Sequence, residues 1–269
     1  MNRCYDANIL IACGFVVYLL LLFFYTFIVI LICMYGLHRH SLLYAAQKEN
    51  KPTRISTPLA HITVQVPLYN EENVVERIIM YCCALDWPKD KLEIQILDDS
   101  TDGTTRIAQN RVDFYLSKGF DIKLIHRENR VGYKAGALAA GLKQSKGSFI
   151  AIFDADFLPA PTFLHEMMHH FYSAKIGLVQ ARWEHINREE NTLTRISSVL
   201  LDGHFVIEHT ARYNQDCFFN FNGTAGIWRK ECIIDAGGWA HDTITEDLDL
   251  SYRAQLKGWK FVYCRDITV

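Results

Sequence analysis

From Ala7 to Leu37 the chain contains no Asp, Glu, Lys or Arg. An uncharged, mostly apolar run of roughly 30 residues exceeds the ~20 that a helix needs to cross a bilayer. One transmembrane helix is therefore expected over residues 7–37. A signal peptide would have an apolar core of only ~7–15 residues followed by a small-residue cleavage site. This run ends instead in Tyr35-Gly36-Leu37-His38-Arg39. Arg3 and Asp6 precede it, and Arg39, Lys48, Lys51 and Arg54 follow it. Excess Lys and Arg marks the cytoplasmic side. The expectation is an integral membrane protein whose remaining residues lie on the cytoplasmic side. Residues 38–58, polar and Pro-containing, read as a juxtamembrane linker.

From residue 59 to 269 the pattern changes. Short β-rich runs are expected at 61–66, 92–97, 122–125, 148–153 and 177–181. Helical stretches are expected between them, at about 71–85, 104–117, 133–144 and 161–174. Strands alternating with helices at this spacing imply βαβ units, hence an α/β fold with a mostly parallel sheet flanked by helices. Beyond Asn191 the pattern predicts a long helix, then loops, then a helix beginning near Glu246. Eight cysteines show no C-x-x-C spacing, so reduced, mostly buried thiols are expected rather than a disulfide framework. A net charge of −2 with no basic stripe argues against a nucleic-acid partner.

In open α/β sheets the ligand site lies outside the carboxyl ends of the strands, and acids stand at two of these ends. Asp154-Ala155-Asp156 follows the fourth run; side chains two apart on an extended backbone share a side. Two such carboxylates can hold one hard cation, with substrate phosphates completing its shell. An Asp here can also serve a turn. Asp98-Asp99-Ser100-Thr101-Asp102-Gly103 follows the second run. It offers acceptors for a base, a ribose hydroxyl or a metal-bound group, and equally suits the start of a helix at Thr104. One of Asp98 and Asp99 is expected to meet ligand, and Asp102 to cap.

Arg127 to Ala137 is basic, contains glycine and opens a helix. Backbone amides at a helix start attract anions, and Lys134 or Arg130 can approach a diphosphate. The segment is neither a P-loop nor a dinucleotide fingerprint. Gly136 and Ala137 suit tight helix packing. In Thr245-Glu246-Asp247-Leu248-Asp249 a carboxylate can act as general base toward an acceptor hydroxyl, or simply complement the helix dipole. A rival pattern is His165-Glu166-Met167-Met168-His169, which matches the H-E-x-x-H of zinc peptidases. That reading leaves the acid clusters unexplained and lacks a third ligand at downstream spacing. Asn222-Gly223-Thr224 matches a glycosylation sequon, which a cytoplasmic site would not use.

Taken in order, several segments resemble the family 2 glycosyltransferases, in particular the membrane-bound β-glycan synthases. They are Val66-Pro67-Leu68-Tyr69-Asn70-Glu71, Leu97-Asp98-Asp99-Ser100, Gly132-Tyr133-Lys134-Ala135-Gly136-Ala137-Leu138, Asp154-Ala155-Asp156, Val179-Gln180-Ala181-Arg182-Trp183, Phe221-Asn222-Gly223-Thr224-Ala225-Gly226 and Thr245-Glu246-Asp247. Their wording is most similar to the glucomannan and mannan synthases of the cellulose-synthase-like group. The resemblance implies a GT-A-like fold and an inverting transfer of a hexose from a nucleotide-sugar donor, of UDP-glucose or GDP-mannose type, to a β-glycan. It also implies Mg2+ or Mn2+ as cofactor.

Carried over by residue, Asp99 would meet the nucleoside with Asp98 beside it, and Lys134 would lie near the phosphates. Asp154 and Asp156 would bind diphosphate and metal. Asn222 and Gly223 would line the acceptor side, Glu246 would bind substrate, and Asp247 would be the base. A lipid acceptor glycosylated once is the alternative within the same chemistry, and a partner subunit without turnover is another. The family carries a further Q-x-x-R-W motif and more membrane helices, so residues 59–269 are expected to be a catalytic domain that is incomplete at its C-terminal side.

Overall fold

A computed structural model describes residues 2–48, 53–55 and 59–269, with side chains from Gly14 onward. The uncharged run forms the middle of α1 (Asn2–Ala46). Within its segment Gly14–Ala46 the most apolar 18-residue stretch has a mean hydropathy of 2.9, and none of that stretch is buried against protein. It is long and apolar enough to cross a membrane. The helix continues from His38 to Ala46, into residues expected as linker. Of the remaining linker, residues 49–52 and 56–58 lie outside those described, as do the side chains of Arg3, Cys4, Asp6, Cys13 and Lys51.

Seven strands make one sheet. β1 (Ile62–Leu68), β2 (Leu92–Asp98), β3 (Asp121–His126) and β4 (Phe149–Ile152) run parallel, joined through α2 (Val75–Cys83), α3 (Thr104–Ser117) and α4 (Tyr133–Gln144). Then come α5 (Phe163–Met168) and β5 (Ile176–Arg182). A single rod follows, made of α6 (Thr192–Asp202), a π-helical segment Gly203–His209 and α7 (Thr210–Asn214). β6 (Gly226–Arg229), α8 (Lys230–Asp235), α9 (Glu246–Leu256) and β7 (Lys260–Thr268) complete the chain. The strand order is β3-β2-β1-β4-β6-β5-β7, with β6 antiparallel to both neighbours and β7 parallel to β5.

The α/β reading holds, with two strands, β6 and β7, beyond the five expected. β6 falls where loop is expected, yet it inserts between β4 and β5. Its Trp228 is fully buried among Phe221, Trp239 and Phe261, with ring centroids 5.3–6.1 Å away. The fourth connecting helix is shorter than its pattern suggested. It stops at Met168 because the next two residues turn to bind the incoming juxtamembrane chain: His169 Nδ1 bonds the carbonyl of Ile55 at 2.7 Å and His170 Nδ1 that of Thr53 at 3.0 Å.

Alternation along the strands divides the core. Ile62, Val64 and Val66 of β1 with Ile94 and Ile96 of β2 face α2, α3 and α5. On the opposite face Thr63 donates to Glu93 at 2.6 Å, and Gln65 to Gln95 at 2.9 Å. α4 crosses this polar ladder at Gly141, where a Cβ would come within 2.6 Å of Gln65 Nε2. Only glycine lets the helix approach so closely. The same crossing sets the start of α4, and with it Lys134, over the ends of β1 and β4.

Candidate active site

Four neighbouring parallel strands each deliver side chains to one cavity of about 330 Å³. Tyr69 and Glu71 follow β1, Asp99 follows β2, Arg130 precedes α4, and Asp154 and Asp156 follow β4; Lys134 closes the wall. Among the described residues, three of the four non-glycine ones with positive φ flank it: Asn70 at 58°, Tyr133 at 47° and Ala225 at 56°. Backbone held in such sparsely populated regions gathers where a site is over-determined by its surroundings.

Asp98 and Asp99 part company here. Asp98 is fully buried. Its carboxylate accepts from Ser100 N at 3.1 Å and Thr105 Oγ1 at 2.6 Å, and meets His126 Nδ1 at 2.8 Å. It braces the loop and does not line the cavity, which corrects the expectation that it binds substrate. Asp99 does line it, gripped from one side by Arg127, Nε to Oδ1 at 2.7 Å and a second amino nitrogen to Oδ2 at 2.5 Å. Arg127 also donates to the carbonyls of Val131 and Tyr133, so one guanidinium fixes the acid and the basic loop together. Asp102 accepts from Thr104 N at 2.9 Å just before α3, whose N-cap position is Gly103.

Arg130 lays its guanidinium over the Tyr69 ring, 3.2 Å from the centroid, and 5.0 Å from that of Tyr133. Lys134 Nζ reaches Asp154 Oδ1 at 2.5 Å. Burial pushes the Asp154 carboxyl above its ordinary range; Lys134 opposes this, while Asp156 and Asp247 add repulsion. Glu71 is raised too, by burial first and then by Asp156, Asp154 and Asp102. The sequence reading did not single out Glu71, Tyr69 or Arg127 as site residues.

Asp247, in the first turn of α9, joins this group across Gly223. A Cβ on Gly223 would lie 3.3 Å from Asp247 Oδ2 and 3.4 Å from Lys134 Nζ, and its φ of +81° suits glycine alone. Thr224 Oγ1 accepts from Asp154 N at 2.8 Å. Asp154, Asp247, Lys134 and the 222–224 loop therefore converge. Glu246 begins the same helix, half-buried. Asp249 instead pairs with Arg253 at 2.6 Å.

Both ends of the Asn222 amide are engaged. His204 Nε2 donates to its Oδ1 at 3.0 Å, and its Nδ2 donates to His209 Nε2 at 3.2 Å. Burial, with His204 and Arg212 adding repulsion, pushes His209 down to about 3, so the ring is neutral and able to accept. Asn222 thus holds the loop, and the buried Gly223 turns its backbone against Asp247 and Lys134. His165 and His169 make separate contacts: His165 lies against Trp87 at 4.8 Å, and His169 bonds Ile55. Among the described residues no three His, Cys, Asp or Glu side chains form a ready-made metal cage, so the H-E-x-x-H match builds no zinc site there.

Residues 63–233 match the model of glycosyl transferase family 2. Glucomannan 4-beta-mannosyltransferase 2 of Arabidopsis thaliana is 47% identical over 216 residues, covering 77% of this chain and 40% of that protein. Glucomannan 4-beta-mannosyltransferase 1 of Oryza sativa subsp. japonica is 44% identical over 213 residues, covering 77% and 41%. The chain thus spans about two-fifths of these relatives' length. Among solved structures, the mannosyltransferase PcManGT of Pyrobaculum calidifontis, in complex with GDP-Man and Mn2+, superposes with a TM-score of 0.70 at 22% identity. The match covers 86% of this chain and 62% of that one. TarS of S. aureus with UDP-GlcNAc gives 0.56 at 18%, covering 76% and 56%. These likenesses share the GT-A-like arrangement of sheet and helices, and the sequence match is decisive: this chain belongs to glycosyl transferase family 2.

Proposed function

We propose that the chain carries the catalytic part of a membrane-anchored, inverting hexosyltransferase acting from a nucleotide sugar onto a β-glycan. The observation that carries this is the convergence of Asp247, Lys134 and Asp154 around Gly223 at the open end of the sheet. The names of the plant relatives, and GDP-Man in the Pyrobaculum enzyme, favour mannose from a GDP-mannose donor over glucose from UDP-glucose. The long apolar α1, with Arg39, Lys48 and Arg54 after it, supports a membrane anchor with the cleft on the cytoplasmic side.

Asp99, oriented by Arg127, offers its free edge to the base or ribose, beside the Tyr69–Arg130 pair. Lys134 and Arg130 face the diphosphate. Asp154 and Asp156 fit a Mg2+ or Mn2+ ion: both are hard oxygen donors, and an ammonium already sits against Asp154. When bound, such an ion stabilises charge on the departing diphosphate. Asp247 takes the proton of the acceptor hydroxyl. That oxygen bonds to the anomeric carbon from the face opposite the donor diphosphate. The carbon–oxygen bond to the diphosphate breaks, and its electron pair leaves with the diphosphate. The Asn222–Gly223 turn holds the acceptor against the base, and fixed positioning supplies much of the remaining rate.

Asp247→Asn keeps the side chain's shape and removes the base. Transfer should fall about 10²–10⁴-fold, while calorimetry shows nucleotide-sugar binding retained in Mn2+; undiminished transfer would overturn the assignment. The length of the labelled product separates a growing glycan from a lipid glycosylated once.

A further inference from the structure

A second cavity, of about 520 Å³, opens between the end of α1, α7 and β7. It shares no lining residue with the cavity assigned to the donor. Sites for small molecules run to ~300–1,000 Å³, so it can hold one. Its wall is unbalanced in charge. Among the described residues, Lys48, Arg54 and Arg265 line it, with Asp266 as the only acid. None of these three cations has a carboxylate at ion-pair distance among the described residues, in contrast to Lys123, Lys134 and Lys146. Cations left unpaired around a concave surface focus a positive field into it.

His170, in the same wall, is an independent sign of a ligand. Its side chain is 0% exposed, yet only one of its ring nitrogens is used. Nδ1 donates to the carbonyl of Thr53 at 3.0 Å, while Nε2 meets no protein group. Burial pushes this ring below its ordinary range; the Thr53 bond opposes that, and Arg54 and His169 add repulsion. The ring is thus neutral, with its proton on Nδ1 and a lone pair on Nε2. A buried acceptor without a donor carries a desolvation penalty, which a ligand hydroxyl removes.

We propose that this cavity binds a phosphate monoester bearing hydroxyl groups, its phosphate held by Arg54, Arg265 and Lys48 and one hydroxyl donating to His170 Nε2. Guanidinium forks match phosphate oxygens. Three cations less one carboxylate leave two positive charges, which match the near-dianion that a phosphate monoester carries at neutral pH. A free sugar phosphate and an inositol-lipid headgroup both offer this chemistry. Ala46, also in the wall, lies about 10 Å along α1 beyond Arg39, the first charge after the apolar run. With α1 read as a membrane helix, that sets the cavity off the bilayer surface and favours the free ligand.

The test uses the full 269-residue chain in phosphatidylcholine nanodiscs. Glucose 6-phosphate and inorganic phosphate are the probes, in calorimetry without divalent metal. Glucose 6-phosphate should bind, and more tightly than inorganic phosphate. Arg54→Gln or Arg265→Gln, both at exposed positions, should weaken it about tenfold through loss of one charge-assisted contact. Lys134→Gln, in the donor cavity, should leave it within about twofold. His170→Asn keeps a donor for the Thr53 carbonyl and removes Nε2, so the preference over inorganic phosphate should vanish. Absence of binding, or binding lost with Lys134→Gln and kept with Arg54→Gln, overturns the inference. A preference that survives His170→Asn overturns the role of the ring. In discs that also carry phosphatidylinositol 4-phosphate, retained glucose 6-phosphate binding supports the free ligand. Its loss there, but not with charge-matched phosphatidylserine, supports the same phosphate site with a lipid headgroup as occupant. None of these readouts requires sugar transfer, so failure here leaves the proposed base and donor site standing.

Discussion

At the end of the cleft proposed for the donor, Tyr69, Asp99, Arg130 and Asp154 come off the ends of four adjacent parallel strands or the loops that follow them. At the end proposed for the acceptor, Asp247 starts a helix, Gly223 precedes an antiparallel strand, and Asn222 hangs between two imidazoles of a π-helical segment. The first end is delivered by sheet topology, and its integrity depends on charges held in pairs. The second is assembled by packing between distant segments, and depends on backbone shape and on one buried neutral ring. Damage should therefore look different at the two ends.

The largest effect is expected at the donor end. Arg127→Met leaves the Asp99 carboxylate, with 4% of its side chain exposed, buried without its partner. Breaking such a pair costs about 3–5 kcal/mol, to be read by urea unfolding, and nucleotide binding should weaken with it. A loss below about 1 kcal/mol, the range of an exposed pair, would make Arg127 dispensable and blur the distinction.

Next comes a pH test of the acceptor end. The His209 ring titrates near 3 when folded, against about 6.5 when unfolded. Between those values only the unfolded chain binds the proton. Stability is thus full above about pH 6.5 and falls on acidification. At about 1.4 kcal/mol per unit, the loss from pH 6.5 to 5 is about 2 kcal/mol. His209→Gln retains an oxygen acceptor for Asn222 and should lack this part of the slope. Glu71 and Asp154, raised in the fold, act with the opposite sign and cancel between the two proteins. Parallel stability–pH curves for wild type and variant would remove His209 as the clamp.

The smallest effect sharpens the contrast most. Gly223→Ala places an L-residue at φ +81°, costing about 1–2 kcal/mol, with its methyl against Asp247 and Lys134. We expect kcat to drop while the KM for donor stays within about twofold. Equal damage to both constants would mean that the two ends are not separable.

The same division explains what could be read from the chain. Apolar runs ending in acids announce β1 to β4, because each strand is encoded locally, and the donor residues come with them. Asp98 and Asp99 were indistinguishable as letters; adjacent side chains leave a strand end on opposite sides, and only the fold shows which is inward. β6 has four residues, and its identity depends on pairing with β4 and β5. His204 and His209 gave no signal: residues five apart diverge by about 140° on an α-helix, and only an i→i+5 hydrogen-bonding segment brings both to Asn222. Glu71 and Arg127 stand in motifs quoted for the family resemblance or beside them. Their partners, at Asp154 and Asp99, are too distant in sequence for any local pattern to join.

The cleft wall also has a charge ledger. Glu71, Asp99, Asp154 and Asp156 stand against Arg130 and Lys134, and Arg127 offsets Asp99 from behind, so four acids against three bases leave a small negative surplus. An empty pocket of this sign holds off another anion at distances within a Debye length, about 8 Å in physiological salt, and gathers cations instead.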